Sequence, residues 1–399
     1  MKKLLLLGGL RYLIPVINIA QEMGLYVITC DNVPGNIAHK YSNEYQNVSI
    51  IDKDEVLKLA KELDVDGIMS FAVDPGVVTA AYVAEKLNLP KPGPYESVKI
   101  LQDKALFRDF LEKNNFNVPK AKGYIHLDEA IVDIEKFSWP VIVKPVDSAG
   151  SKGVGKVENY SELREKIQNA ISHSQSKQFI IEEYIEQKGF ASDSESFSIN
   201  GELTFFTLSN QYFDKNSANP YTPAGFTWPS NMADRHKKNL SSEIQRLLKL
   251  LKMRTSIYNI EARVGKDDKP YIMEVSPRGG GNRLAEMIKY ITNVDLIENS
   301  VKAAIGEKVD FMQLPSVNEY WGEIILHSNK EGIFRKIEIS PNLEKYVIEV
   351  DVWVKNGEYI KQFLGANETI GTIVIRTDNK NTVEKFVSNI WKYIDIIVD

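Results

Sequence analysis

Cysteine is almost absent from this chain. Cys30 is the only one in 399 residues, which excludes an internal disulfide framework and any cysteine-built metal site. That usage fits a reducing compartment, so a cytoplasmic location is expected. Long apolar runs are missing too: no stretch approaches the ~20 residues that a spanning helix needs. Met1-Lys2-Lys3 followed by Leu4 to Leu7 imitates a secretory leader, but the run ends at Gly8-Gly9 and no small-residue cleavage site follows. A buried first strand is the expectation there. Nor is there a basic excess. With 49 Lys+Arg against 54 Asp+Glu the net charge is -5, which leaves no electrostatic footprint for nucleic acid. Neither nucleic acid nor membrane is therefore expected as a partner.

Two phosphate-binding fingerprints are also missing. Gly8-Gly9 is followed by Leu10-Arg11-Tyr12-Leu13, so the Gly-x-Gly-x-x-Gly of a dinucleotide-dependent oxidoreductase fails. Gly150 to Lys156 approaches the P-loop pattern, yet Val157 stands where Ser or Thr is required and a strand-like segment follows. No internal repeat or low-complexity tract is present.

The composition that remains is ordinary: 43% apolar and 26% charged, enough for real cores over two or three domains. Strands are expected at Leu4–Leu7, Tyr26–Cys30 and Gly67–Phe71, with helices at Pro15–Met23, Val56–Leu63 and Val77–Leu87. Such alternation predicts a parallel sheet with right-handed crossovers. The Pro/Gly cluster from Leu89 to Pro94 marks a boundary. Beyond it, Ser97–Asn114 reads as one helix, Val141–Lys144 as a strand, Asp147–Gly155 as a Gly/Ser loop and Phe179–Ile185 as a strand. Asn210–Ser230 reads as irregular, Ser256–Ser276 as a hairpin, and short strands dominate from about Phe311. The expected class is mixed α/β and α+β, with units at 1–95, 96–310 and 311–399 and a flap subdomain at about 120–190.

The hairpin carries the sharpest chemical signal. With Gly265–Pro270 as its loop, Val264 pairs with Tyr271, Arg263 with Ile272, and Glu261 directly faces Glu274. Facing like charges are destabilising, so the pair implies something positive between them, such as a divalent cation shared with substrate phosphates. Solvation of one carboxylate, or pairing with Arg263 or Arg278, is the other way to satisfy them. Ser276 to Arg283 places three glycines between Arg278 and Arg283, an anion-binding concavity or a plain turn with surface arginines. The glycine loop, with Ser148, Gly150, Ser151, Lys152 and Gly153, could clamp phosphates through its amides or be a simple hairpin turn. Lys144 ends an apolar strand three residues before that loop, and Glu182, Glu183 and Ile185 lie on the next strand.

In this order, and with Lys144-Pro145-Val146-Asp147-Ser148-Ala149-Gly150-Ser151-Lys152-Gly153 and Glu274-Val275-Ser276-Pro277-Arg278 as the closest motifs, the chain resembles the ATP-grasp superfamily of carboxylate–amine ligases. Formate-dependent phosphoribosylglycinamide formyltransferase, carbamoyl phosphate synthetase and biotin carboxylase are the relatives suggested, together with ATP-grasp proteins of surface-polysaccharide gene clusters. The resemblance implies an ATP-grasp fold preceded by a Rossmann-like domain and followed by a β-rich lid. It implies ATP with Mg²⁺, or Mn²⁺ in its place, and small carboxylate and amine substrates, with a homodimer as the suggested assembly. Lys104 and Lys144 would contact phosphates, Ser148 to Gly153 would form the flap with Lys152 acting on the transferred group, and Glu182, Glu183 and Ile185 would line the adenine hinge. Glu195, or alternatively Glu186, would take the ribose, Glu261 and Glu274 would hold the metal, and Arg278 would steady an acyl-phosphate. Ser276 stands where many members have Asn. Tyr212, Phe213, Tyr221 and Trp228 make Asn210–Ser230 the expected acceptor segment. A non-catalytic ATP-binding protein of the same fold is the rival reading.

Overall fold

The computed structural model describes residues 1–148, 150–310, 312, 314 and 318–399. Ala149 of the glycine loop and Phe311 at the expected third boundary lie outside them. The chain opens with β1 (Lys3–Leu7), β2 (Tyr26–Cys30), β3 (Glu44–Gln46) and β4 (Gly67–Ser70), a parallel sheet in the order β3-β2-β1-β4. Leu4 to Leu7 are fully buried, as a strand enclosed on both faces must be. The edge strand β3 was not anticipated: three polar or half-buried residues carry no periodic signal.

The helix expected over Ser97–Asn114 is two helices, Tyr95–Gln102 and Lys104–Lys113. Asp103 takes an extended conformation between them, and its side chain accepts from the amides of Ala105 and Leu106. An Asp that caps a second helix competes with continuing the first. The break puts Lys104 at a helix start, with its amide on the Val146 carbonyl at 3.0 Å.

Next come β5 (Ala121–Tyr124), β6 (Val141–Pro145), β7 (Gly155–Val157) and β8 (Phe179–Glu183), an antiparallel sheet in the order β5-β8-β6-β7. The glycine loop is the turn between β6 and β7. Then follow β9 (Ser192–Ile199), β10 (Glu202–Phe206), β11 (Asn210–Phe213), β12 (Pro223–Trp228), β13 (Ser256–Val264) and β14 (Pro270–Ser276). Strands β10-β9-β13-β14 form one antiparallel sheet.

Strands β11 and β12 leave that sheet for the next one, which corrects the irregular reading of Asn210–Ser230. They join β15 (Tyr320–Leu326), β17 (Val347–Val352) and β19 (Gly371–Thr377) in the order β11-β12-β15-β19-β17. β16 (Gly332–Ile339), β18 (Tyr359–Ile360) and β20 (Ile394–Val398) complete the C-terminal part, with a helix over Lys380–Ser388. One buried cluster runs from β1 through Phe197 of β9 to Phe226, Trp321 and Val374 of the C-terminal sheet. The sheets that hold β9 and β15 thus share a core with the N-terminal one.

Candidate active site

The Glu261–Glu274 pairing is present, by a different route from the one expected. Near the loop, Val264 pairs with Pro270 and Arg263 with Tyr271, one residue off the expected register. Uninterrupted, that register would set Glu261 against Met273. A bulge between Glu261 and Ala262 absorbs the extra residue and returns Glu274 to face Glu261. The Met273 carbonyl is taken by Arg108 Nη1 at 2.8 Å. Glu261 is pushed up by burial and by the Glu274 charge opposite it. Lys104 Nζ stands 3.6 Å from Glu274 Oε2 and donates to the Ser148 carbonyl at 3.0 Å.

On the facing sheet, Lys144 Nζ bonds Glu182 Oε1 at 2.6 Å and Arg108 Nε bonds Glu182 Oε2 at 3.0 Å. Glu182 and Arg108 are both almost completely buried. Burial and the neighbouring Arg108 and Lys104 charges lower the Lys144 ammonium to about 8, against the pull of Glu182. Burial would raise the Glu182 carboxyl, but Lys144 and Arg108 hold it down at about 2. The two shifts oppose each other in stability, as expected of a buried ion pair whose desolvation offsets its attraction. The arrangement leaves a desolvated lysine beside the glycine loop.

That loop needs glycine at one position in particular. Gly153 has φ +71°, and a Cβ there would lie 2.9 Å from the Cβ of His173. Gly150 has φ +67° with open space around it. Ser151 donates to the Tyr221 carbonyl at 3.0 Å, tying the loop to the segment between β11 and β12, and Lys152 stands exposed.

At the end of β8 the chain turns through Glu183, Tyr184 and Ile185. Glu183 Oε1 accepts from the Ser138 amide at 2.8 Å, and Ile185 packs against Gly265. Glu182, expected to edge the adenine, instead turns its side chain to Lys144 and Arg108. Glu186 pairs with Lys266.

Glu195 does not stand at this hinge. Gln187 bridges Gly265, whereas Glu195 pairs with Asn259, six residues further along β13. At ~3.4 Å per residue that is about 20 Å. Glu195 is fully buried and its Oε1 accepts from the Gly280 amide at 2.7 Å. Enclosed there, its carboxyl is pushed up to about 8, chiefly by burial. Glu195 is thus set well away from the turn after β8.

Strand alternation places Asp193 and Glu195 of β9, Asn259 and Glu261 of β13, and Glu274 and Ser276 of β14 on one face. Arg278 closes its end. Asp74, from the helix after β4, takes the Arg278 fork through Nε (2.9 Å) and Nη2 (2.8 Å), while Nη1 reaches Asn259 Oδ1 at 3.3 Å. Ser276 also donates to Asp74 at 3.2 Å and accepts from Gln102 at 2.6 Å. Sequence reasoning missed the roles of Arg108 and Asn259. The only signal for Arg108 was a charged residue on the apolar stripe Phe107–Leu111.

Among the described residues no group of three His, Cys, Asp or Glu is placed to hold a metal. Two opposed carboxylates still fit a cation that takes its other ligands from phosphate and water.

Residues 137–286 match the family model described as an ATP-grasp domain. The carbamoyl phosphate synthase large chain of Clostridium perfringens is 22% identical over 292 residues, 72% of this chain and 27% of that protein. The chain thus spans about a quarter of the length of such relatives. An uncharacterized Sinorhizobium fredii protein, y4rH, is 23% identical over 86% of this chain and 70% of its own length. Among solved structures, the L-amino acid ligase from Bacillus licheniformis superposes with TM-score 0.81 at 22% identity, covering 100% of this chain and 99% of that one. Phosphoribosylglycinamide synthetase from Anaerococcus prevotii superposes with TM-score 0.77 at 22% identity over 100% of both chains. No described helix is long and apolar enough to cross a membrane. Residues 137–286 thus match an ATP-grasp domain, and the chain shares the fold of these solved ligases.

Proposed function

We propose that the protein is an ATP-dependent carboxylate–amine ligase that forms an amide through an acyl-phosphate. The observation that supports this most is the Glu261–Glu274 pair, set opposite the desolvated Lys144 and next to Lys104, with the glycine loop above it. Lys104 and Lys144 would hold the phosphates and the loop from Ser148 to Gly153 would cover them. Glu261 and Glu274 would hold Mg²⁺, with Mn²⁺ as a substitute, and the bound ion would neutralise charge on the phosphoryl group. Glu183 and Ile185 stay in the adenine hinge, and Glu186 replaces Glu195 as the ribose contact. Arg278, oriented by Asp74 and Asn259, would steady the acyl-phosphate, with Lys152 reaching the transferred group on closure. Positioning, neutralisation and exclusion of water do most of the work in such a transfer.

An amino acid is the preferred acid or amine, a choice supported by the fold shared with the L-amino acid ligase. An amino sugar acceptor in surface-polysaccharide synthesis, a homodimer and a cytoplasmic location are finer readings that rest on the resemblance of the motifs. The test is ADP release with Mg²⁺ and ATP across a panel of carboxylic acids, with hydroxylamine as the amine. Hydroxamate appearing with ADP identifies the acid. ATP binding without turnover on any acid would favour the non-catalytic reading.

A further inference from the structure

The least satisfied charge among the described residues lies outside the nucleotide end. Glu323, at the centre of β15, is fully buried, and neither of its carboxylate oxygens has a hydrogen-bond partner among the described residues. An ionised group left this way is costly unless something binds it. The nearest cation, Arg283, is committed elsewhere: it bonds Glu286 at 3.0 Å, Glu349 at 2.5 Å and Thr372 at 2.9 Å.

The surroundings of Glu323 are aromatic and acidic. Phe226 lies directly opposite on β12, Val374 opposite on β19, and Trp321 two residues along the same face. Glu286, Glu349 and Asp193 add negative charge around it, while Arg283 opposes them and Tyr12 lies within its field. On β9, Glu195 also has one oxygen, Oε2, buried without a partner among the described residues. Orphaned carboxylate oxygens thus occur on both sheets. The described residues hold no set of three metal ligands, whereas an ammonium group suits a lone carboxylate beside aromatic rings.

We propose that Glu323, walled by Phe226 and Trp321, is the subsite for the ammonium group of a small substrate. Its role as the amine pocket rests on the ligase reading, but its capacity to bind does not. It also gives the β11–β12 segment a part in acceptor recognition, through the buried Phe226 rather than the exposed Phe213 and Tyr221.

The test is calorimetric titration with MgADP present, using the twenty common L-amino acids and glucosamine as probes. Each binder is paired with its hydroxyl counterpart, such as L-lactate for L-alanine. At least one ammonium compound should bind, at least thirtyfold more tightly than its counterpart. Glu323→Gln should weaken that binding at least tenfold and shift the MgADP Kd by less than twofold. Because the carboxyl is raised by burial, native wild type resists ionising it, and that handicap grows as pH rises past the ordinary carboxylate range. Glu323→Gln should therefore melt no lower than wild type, with its advantage widening from pH 5 to 8. Failure of every ammonium probe to bind, unchanged binding in the variant, equal loss of MgADP, or a fall in Tm would each overturn the proposal. Hydroxamate formation by wild type is scored separately, so a failed ligase reading and a failed ammonium subsite give different results.

Discussion

The nucleotide end and the β15 end of this site handle charge in opposite ways. At the nucleotide end, Glu182 is held by both Lys144 and Arg108, and Lys104 sits between the Ser148 carbonyl and Glu274. At the other end, Glu323 and one oxygen of Glu195 are buried with no partner among the described residues. The first region satisfies its buried Glu182 with two cations. The second leaves a buried carboxyl that burial holds toward its neutral form. The contrast is one of degree: Arg108 also keeps one buried nitrogen, Nη2, without a partner among the described residues, but Glu323 lacks a partner on both oxygens.

The largest expected effect that would break this contrast is at the carboxylate pair. Glu274→Gln should cut ADP formation at least a thousandfold while the melting temperature stays within a few degrees, since one of two facing like charges is removed. Normal turnover would end the metal assignment. Next comes the paired region itself. Arg108→Ala strips Glu182 of a partner and frees the Met273 carbonyl, and should cost about 3–5 kcal/mol of stability in urea unfolding. A loss below about 1 kcal/mol would mean that the pairing is ornamental.

A pH experiment sharpens the same point. Lys144 titrates near pH 8, so it carries its charge below that value and loses it above. Affinity for MgADP should be flat from pH 6 to 7.5 and fall severalfold from pH 8 to 9. Lys144→Met should bind weakly throughout and lose the dependence. A wild-type profile flat to pH 9, with Lys144→Met binding as tightly as wild type, would show that Lys144 does not contact phosphate. The smallest effect concerns the loop. Gly150→Ala meets open space and pays only for its positive φ, roughly 1 kcal/mol, whereas Gly153→Ala also drives a methyl into His173. The KM for ATP should rise more for the second than for the first, and the reverse order would misplace the hinge of the flap.

Much of this was legible from the chain alone because it depends on local pattern. Leu4 to Leu7 and Tyr26 to Cys30 form strands where their apolar runs put them. The helix break at Asp103 was legible in principle, since Asp followed by a helix-forming run is a capping signal. The facing of Glu261 and Glu274 was anticipated from a regular register, but the structure reaches it through a bulge stabilised by Arg108 from a helix about 165 residues earlier in the chain. Chain spacing left Glu195 and Glu186 both open for the ribose, because spacing says nothing about which end of β13 the strand β9 will meet.

By itself the sequence determined the alternating first domain, the hairpin with its carboxylates and the glycine loop. Those follow from side-chain period, turn chemistry and backbone freedom, all of which act within a few residues. Only the tertiary structure decided that Asp74 would occupy the Arg278 fork, that β12 would cross to the C-terminal sheet, and that Glu323 would be buried with no partner among the described residues. Burial and pairing are properties of what packs against a residue, and here the packing partners lie up to about 200 residues away.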